Sequence, residues 1–163
     1  MNSKPKWTAL AAVVAATVAF GPVAAQETAA GDGAPATDED VFDIIVPADD
    51  TTLEDWRWLK RPVVIFADSP ADPRYVQQMQ YVTDRLGALD ERDVIVITDS
   101  DPAARSSVRR ELRPRGFMLV VMAKDGTIVT RKPRPWSVRE ISRSIDKLPL
   151  RQQEVRDRAA AGS

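Results

Sequence analysis

Cysteine and histidine are both absent from the 163 residues. Without them the chain cannot build the usual zinc or haem site, a Ser-His-Asp triad, a Cys-His dyad, a Cys-x-x-Cys redox pair or any disulfide. No cofactor is implied. Aromatics are scarce at 6%, with two tyrosines, and no RNA-binding motif accompanies the basic residues, so nucleic acid is not an expected partner. A membrane-spanning run is missing too, because the apolar stretch Thr8 to Phe20 falls well short of the roughly 20 residues that cross a bilayer. What is present, 44% hydrophobic and 29% charged residues, suits one compact domain of roughly 100 to 150 residues with flanking segments.

The chain begins with the layout of an export signal. Lys4 and Lys6 appear without an acid, the apolar stretch follows, and Gly21-Pro22 precede the small residues Val23, Ala24 and Ala25. This predicts cleavage after Ala25 and a bacterial protein that is periplasmic or secreted, free of the membrane once the signal is gone. No twin arginine and no lipid-accepting cysteine occur, so export of an unfolded, unanchored chain is the simpler route. Residues 26–52 read as an acidic flexible linker. From 26 to 55 there are ten acids and no base, whereas 56–163 carry 21 bases against 14 acids. Within the linker, Val41 to Val46 has the pattern of a short strand or docking segment. The acidic stretch is placed either to fold back on the basic body or to solvate the chain.

The remainder alternates strand and helix. Pro62 to Ala67 is a continuous β-branched and aromatic run, the pattern of a strand covered on both faces. Asp72 with Pro73 predicts a capped helix start, after which Tyr75, Val76, Met79, Val82, Leu86 and Leu89 recur at helical steps. Val94 to Ile97 is a second strand. Ser100 or Asp101 before Pro102 is expected to open a second helix carrying Ala104, Val108 and Leu112. Phe117 to Met122 is a third strand, joined through Asp125-Gly126 to a fourth at Thr127 to Arg131. Ser137 and Glu140 form a capping box for a last helix with Val138, Ile141, Ile145 and Leu148 inward. The order βαβαββα leaves no room for a helix between the last two strands, which disfavours a fully parallel, flavodoxin-like sheet. It predicts a thioredoxin-like α/β domain over 53–155 with a mixed four-stranded sheet, followed by a tail over 156–163.

Trp56-Arg57-Trp58-Leu59-Lys60-Arg61-Pro62, Phe66-Ala67-Asp68, Arg92-Asp93-Val94, Arg113-Pro114-Arg115-Gly116-Phe117, Lys124-Asp125-Gly126 and the run Arg131 to Asp146 together resemble the domain-of-unknown-function 4174 family, over about Leu53 to Val155. The resemblance implies a thioredoxin-like fold, frequent export from proteobacteria and no established activity. Where thioredoxins keep their redox pair this chain has Ser69-Pro70-Ala71-Asp72, so thiol–disulfide chemistry has no atoms to perform it. The proline that precedes the third strand in thioredoxins corresponds to Pro114, and a cis Arg113-Pro114 bond is expected.

Candidate binding residues follow from that fold. Asp68 and Ser69 end the first strand, and Arg113, Pro114 and Arg115 form the loop expected beside the first helix's N-terminus, where amides and arginine forks together favour an anion. Arg131, Lys132, Arg134, Arg139 and Arg143 extend the basic set, with Trp136 among them. The competing reading pairs these arginines with Glu111, Glu140, Asp146 or the acidic stretch. Trp56 and Trp58 either close the core or offer a platform to a partner. The expectation is therefore a redox-inactive binding or adaptor module for an anionic ligand or another envelope protein. The alternative is an envelope enzyme using arginines with Asp68, Asp72, Asp99 and Asp101, carboxylates that helix caps and turns explain as well.

Overall fold

The structure, a computed structural model, describes residues 44–162. The expected signal and the acidic stretch up to residue 43 lie outside the described residues. The elements are β1 (Ile45–Pro47), a 3-10 turn (Glu54–Trp56), β2 (Arg61–Phe66), α1 (Pro73–Thr83), α2 (Leu86–Asp90), β3 (Val94–Asp99), α3 (Ser107–Leu112), β4 (Met118–Met122), β5 (Ile128–Lys132), α4 (Val138–Asp146) and α5 (Pro149–Ala161). The sheet runs in the order β1-β3-β2-β4-β5. β1 and β2 both lie parallel to β3, and β4 is antiparallel to β2 and to β5.

The sheet therefore has five strands where four are predicted. The extra one, β1, falls at the end of the stretch read as linker, with Ile45 opposite Val96 and Pro47 opposite Thr98. Three residues among acids show little periodicity of their own. Pairing with β3 fixes them, and Ile44 and Ala48 on either side are buried.

Val63 and Ile65 face one side of the sheet, with Val94, Val96, Leu119 and Val121, against Val82, Leu86 and Leu89 of α1 and α2 and Val138, Ile141 and Ile145 of α4. Val64 and Phe66 face the other, with Ile95, Ile97 and Val120, against Val108 and Leu112 of α3 and Leu53. Because both faces are covered, β2 and β3 need no polar alternation, which is why they read as unbroken apolar runs.

Several boundaries differ from the predicted ones for local reasons. The first helix is interrupted between Thr83 and Leu86, where Arg85 takes φ −145. Asp101 spends its carboxylate on the Ala103 amide and Arg105 turns left-handed, φ 52, so α3 starts only at Ser107, capped by Ser106, and Ala104 is exposed. The last helix ends at Asp146, and Pro149 opens a further helix that runs through the segment expected to be a tail. The Asp72 cap, the Ser137–Glu140 capping box and the turn at Gly126 (φ 88) form as predicted. Among the described residues no helix is long and apolar enough to cross a membrane.

Candidate functional site

The C-terminal ends of β2 and β3 carry a polar network. Asp99, nearly buried, accepts Arg109 Nε at 2.9 Å and Nη2 at 2.7 Å on one oxygen, and the Ser106 hydroxyl at 2.6 Å on the other. Arg109 Nη2 also donates to the Ala67 carbonyl at 2.7 Å, and the guanidinium stands 5.5 Å from the Phe66 ring centre. Ser106 is in turn the cap of α3, accepting from the Arg109 amide. The arrangement ties the ends of two strands to a helix, and Asp99 is fully occupied by it.

Asp68, just beyond β2, has a side chain 64% exposed, with Arg109 Nη1 3.7 Å away. A Cβ on Gly116 (φ 60) would stand 3.7 Å from Asp68 Oδ2, and Arg74 lies over the Phe117 ring at 5.5 Å. The loop preceding β4 is thus seated beside the start of α1, as the sequence predicts. Ser69 is exposed, its hydroxyl accepting from the Ala71 amide at 3.2 Å.

The helix terminus itself already holds an anion. Asp72 accepts the Arg74 guanidinium (2.9 and 3.2 Å) and the Arg74 amide (2.8 Å), and those bonds, the guanidinium's first, keep its carboxyl below the ordinary value. Arg131, on β5, donates to the Leu112 carbonyl at 2.7 Å, and Lys132 lies 4.6 Å from the Trp136 ring centre. Arg113, left-handed at φ 48 as it ends α3, and Arg115 are exposed, with no side-chain partner among the described residues; Pro114 between them is half-buried. Arg139 does not join this corner. It stands on α4 by the far end of α1, where it lines one groove with Tyr81 and Asp84.

The aromatic pair divides. Trp56 is half-buried, donates Nε1 to Thr51 Oγ1 at 2.7 Å and packs on the α3-side core, whereas Trp58 is left-handed (φ 67) and 64% exposed. Trp136 exchanges two bonds with the Gln78 amide, at 2.8 and 3.0 Å, and anchors the entry to α4.

At the opposite end of β2 lies a cluster the sequence does not reveal. Arg61 is fully buried. Its Nη2 binds both oxygens of Glu154 at 2.8 Å and its Nη1 the Arg92 carbonyl at 2.8 Å. Lys124 Nζ bridges Asp93 (2.9 Å) and Glu154 (3.2 Å). Burial alone would raise the carboxyls of Asp93 and Glu154. Hydrogen bonds from Lys124 to Asp93, and from Arg61 and Lys124 to Glu154, together with the charges of both cations, outweigh it and hold both below their ordinary values. Among the described residues no group of three or more carboxylates could hold a metal ion.

The family follows from the chain over the segment that carries these features. Residues 52–154 match the model of the Domain of unknown function (DUF4174), and the chain belongs to that family. No curated protein matches it significantly.

Proposed function

We propose that the protein is an exported, thioredoxin-like binding module with no redox chemistry, whose corner at Arg113–Gly116 receives an anionic ligand or an acidic surface of an envelope partner. A parallel pair, β2 and β3, followed by an antiparallel hairpin, β4 and β5, supports the thioredoxin-like reading. The absence of cysteine removes the reagent that such a fold usually presents. One observation carries the binding assignment. Arg74, Arg109 and Arg131 at this end of the sheet are committed to Asp72, Asp99 and the Leu112 carbonyl, while Arg113 and Arg115 on the adjoining loop are exposed and unpaired among the described residues. Asp72 occupies the helix terminus, so the ligand is held by guanidinium forks rather than by the helix amides.

The test is thermal unfolding with sulfate, phosphate and a polyanion. A ligand that binds the folded state raises the melting temperature in proportion to its occupancy, and added salt weakens the effect. Arg113→Ala or Arg115→Ala should reduce the shift. No shift with any anion would leave the corner as ordinary surface.

A further inference from the structure

The basic side chains separate into two sets at opposite ends of α1, about 16 Å apart by the rise of an 11-residue helix. The second set lies along the outer stripe of α4. Arg139, Ser142 and Arg143, three and four positions apart, share one face of that helix, while Val138, Ile141 and Ile145 turn to the core. Facing them is the start of α2 with Arg85. Between the two helices is a cavity of about 310 Å³ lined by Arg85, Arg139, Ser142 and Arg143.

The acids in this cavity are already engaged. Asp146 accepts Arg92 Nε and Nη2 at 3.0 and 3.1 Å, and Glu91 lies 3.3 Å from Arg92 Nη1. Asp84 has no side-chain partner among the described residues, but it borders the adjoining groove with Tyr81 and Ser137 and does not line this cavity. Arg85, Arg139 and Arg143 are exposed and unpaired among the described residues. Ser142 is 8% exposed, and its buried hydroxyl has no hydrogen-bond partner. Among the described residues, three guanidiniums without a partner thus line the same cavity as a serine whose hydroxyl has none.

We infer that this groove binds a phosphate group, with Arg85, Arg139 and Arg143 as the charged forks and Ser142 as the neutral donor. A carboxylate carries one negative charge on two coplanar oxygens, whereas a phosphate monoester carries up to two on three terminal oxygens set tetrahedrally, which suits three converging guanidiniums better and leaves lone pairs for the hydroxyl. The site is independent of the Arg113–Arg115 corner. The phosphate comes either from a soluble phosphorylated molecule or from a lipid head group.

The experiment is a titration of the ¹⁵N-labelled full chain with inorganic pyrophosphate, followed by amide shifts. Saturable shifts are expected at Arg85, Ala88, Arg139, Ser142 and Arg143, with a dissociation constant of about 1 mM or tighter. The exposed-residue variant Arg139→Gln/Arg143→Gln should weaken binding about tenfold or more, and Ser142→Ala about threefold, as lost charge-assisted and neutral hydrogen bonds would. Arg113→Gln/Arg115→Gln should leave these shifts in place, which separates this site from the corner. Phosphatidic acid vesicles that displace pyrophosphate would assign the source to a lipid head group, and failure to displace it would assign it to a soluble phosphate. Absence of shifts up to about 10 mM pyrophosphate, or shifts that persist in the Arg139→Gln/Arg143→Gln variant, would overturn the site. The dispersion of the same spectra reports whether each variant is folded.

Discussion

Arg61, at the start of β2, and Arg109, beside its end, are both drawn into the protein by carboxylates, yet their surroundings differ. Around Arg61 the charges are matched, although its own Nε has no hydrogen-bond partner among the described residues. Glu154, Asp93 and Lys124 satisfy one another, and α5, which supplies Glu154, lies over them. Around Arg109 the network takes in Asp99, Ser106 and the Ala67 carbonyl and reaches the exposed Asp68, and the loop that follows α3 leaves Arg113 and Arg115 exposed. The same residue type therefore does two jobs. Where a guanidinium is buried and matched it holds elements together, and where it is exposed and unmatched it is available to something outside.

That contrast sets the order of effects to be measured. Arg61→Met should be the most damaging, because it removes the buried cation that binds both oxygens of Glu154 and leaves Lys124 to balance Glu154 and Asp93 together. Breaking a buried pair from one side costs about 3–5 kcal/mol, read as a lower urea midpoint, and a loss below about 1 kcal/mol would show that the charges are not matched. Asp99→Asn should come next, at about 2–3 kcal/mol by the same assay, since it removes the charge that receives two Arg109 donors.

Acid should act more gently. Asp93 and Glu154 have lowered folded-state values, so their contribution is complete above the ordinary carboxyl values of 3.8 and 4.5 and is lost as pH falls through the lower folded ones. Urea midpoints taken from pH 6 to pH 2.5 should fall over that window in the native chain and less steeply in Glu154→Gln. Equal slopes would exclude Glu154 as a contributor. Smallest of all, Arg115→Ala should change stability by no more than about 0.5 kcal/mol while still reducing anion-dependent stabilisation. A large loss of stability would move Arg115 from the functional set to the structural one.

The central strands were legible because a strand covered on both faces writes itself as an unbroken apolar run, as in Val63 to Ala67. Caps were legible where side chain and amide are neighbours, as at Asp72 and Ser137. β1 was legible only as one of two readings of Val41 to Val46, a short strand or a docking segment, and its place in the sheet was not, since its pairing with β3 spans about fifty positions. Of the candidate site, the meeting of Asp68 with the Gly116 loop could be anticipated from element order, but the separation of Arg139 from Arg113 could not. Both sit in arginine-rich sequence, and only the length of α1 sets them apart. Arg61 reads as the polar flank of a strand, and nothing near it announces a carboxylate 93 positions away.

That distance bears on timing. The guanidinium at the head of β2 has Asp93 3.6 Å away, but its bonds to both oxygens of Glu154, at 2.8 Å, form only when α5 is seated. Fragments ending earlier would leave that buried cation with Asp93 and the Arg92 carbonyl alone. In a chain made from its N-terminus this pair is completed late, with Glu154 as the clasp on the head of β2.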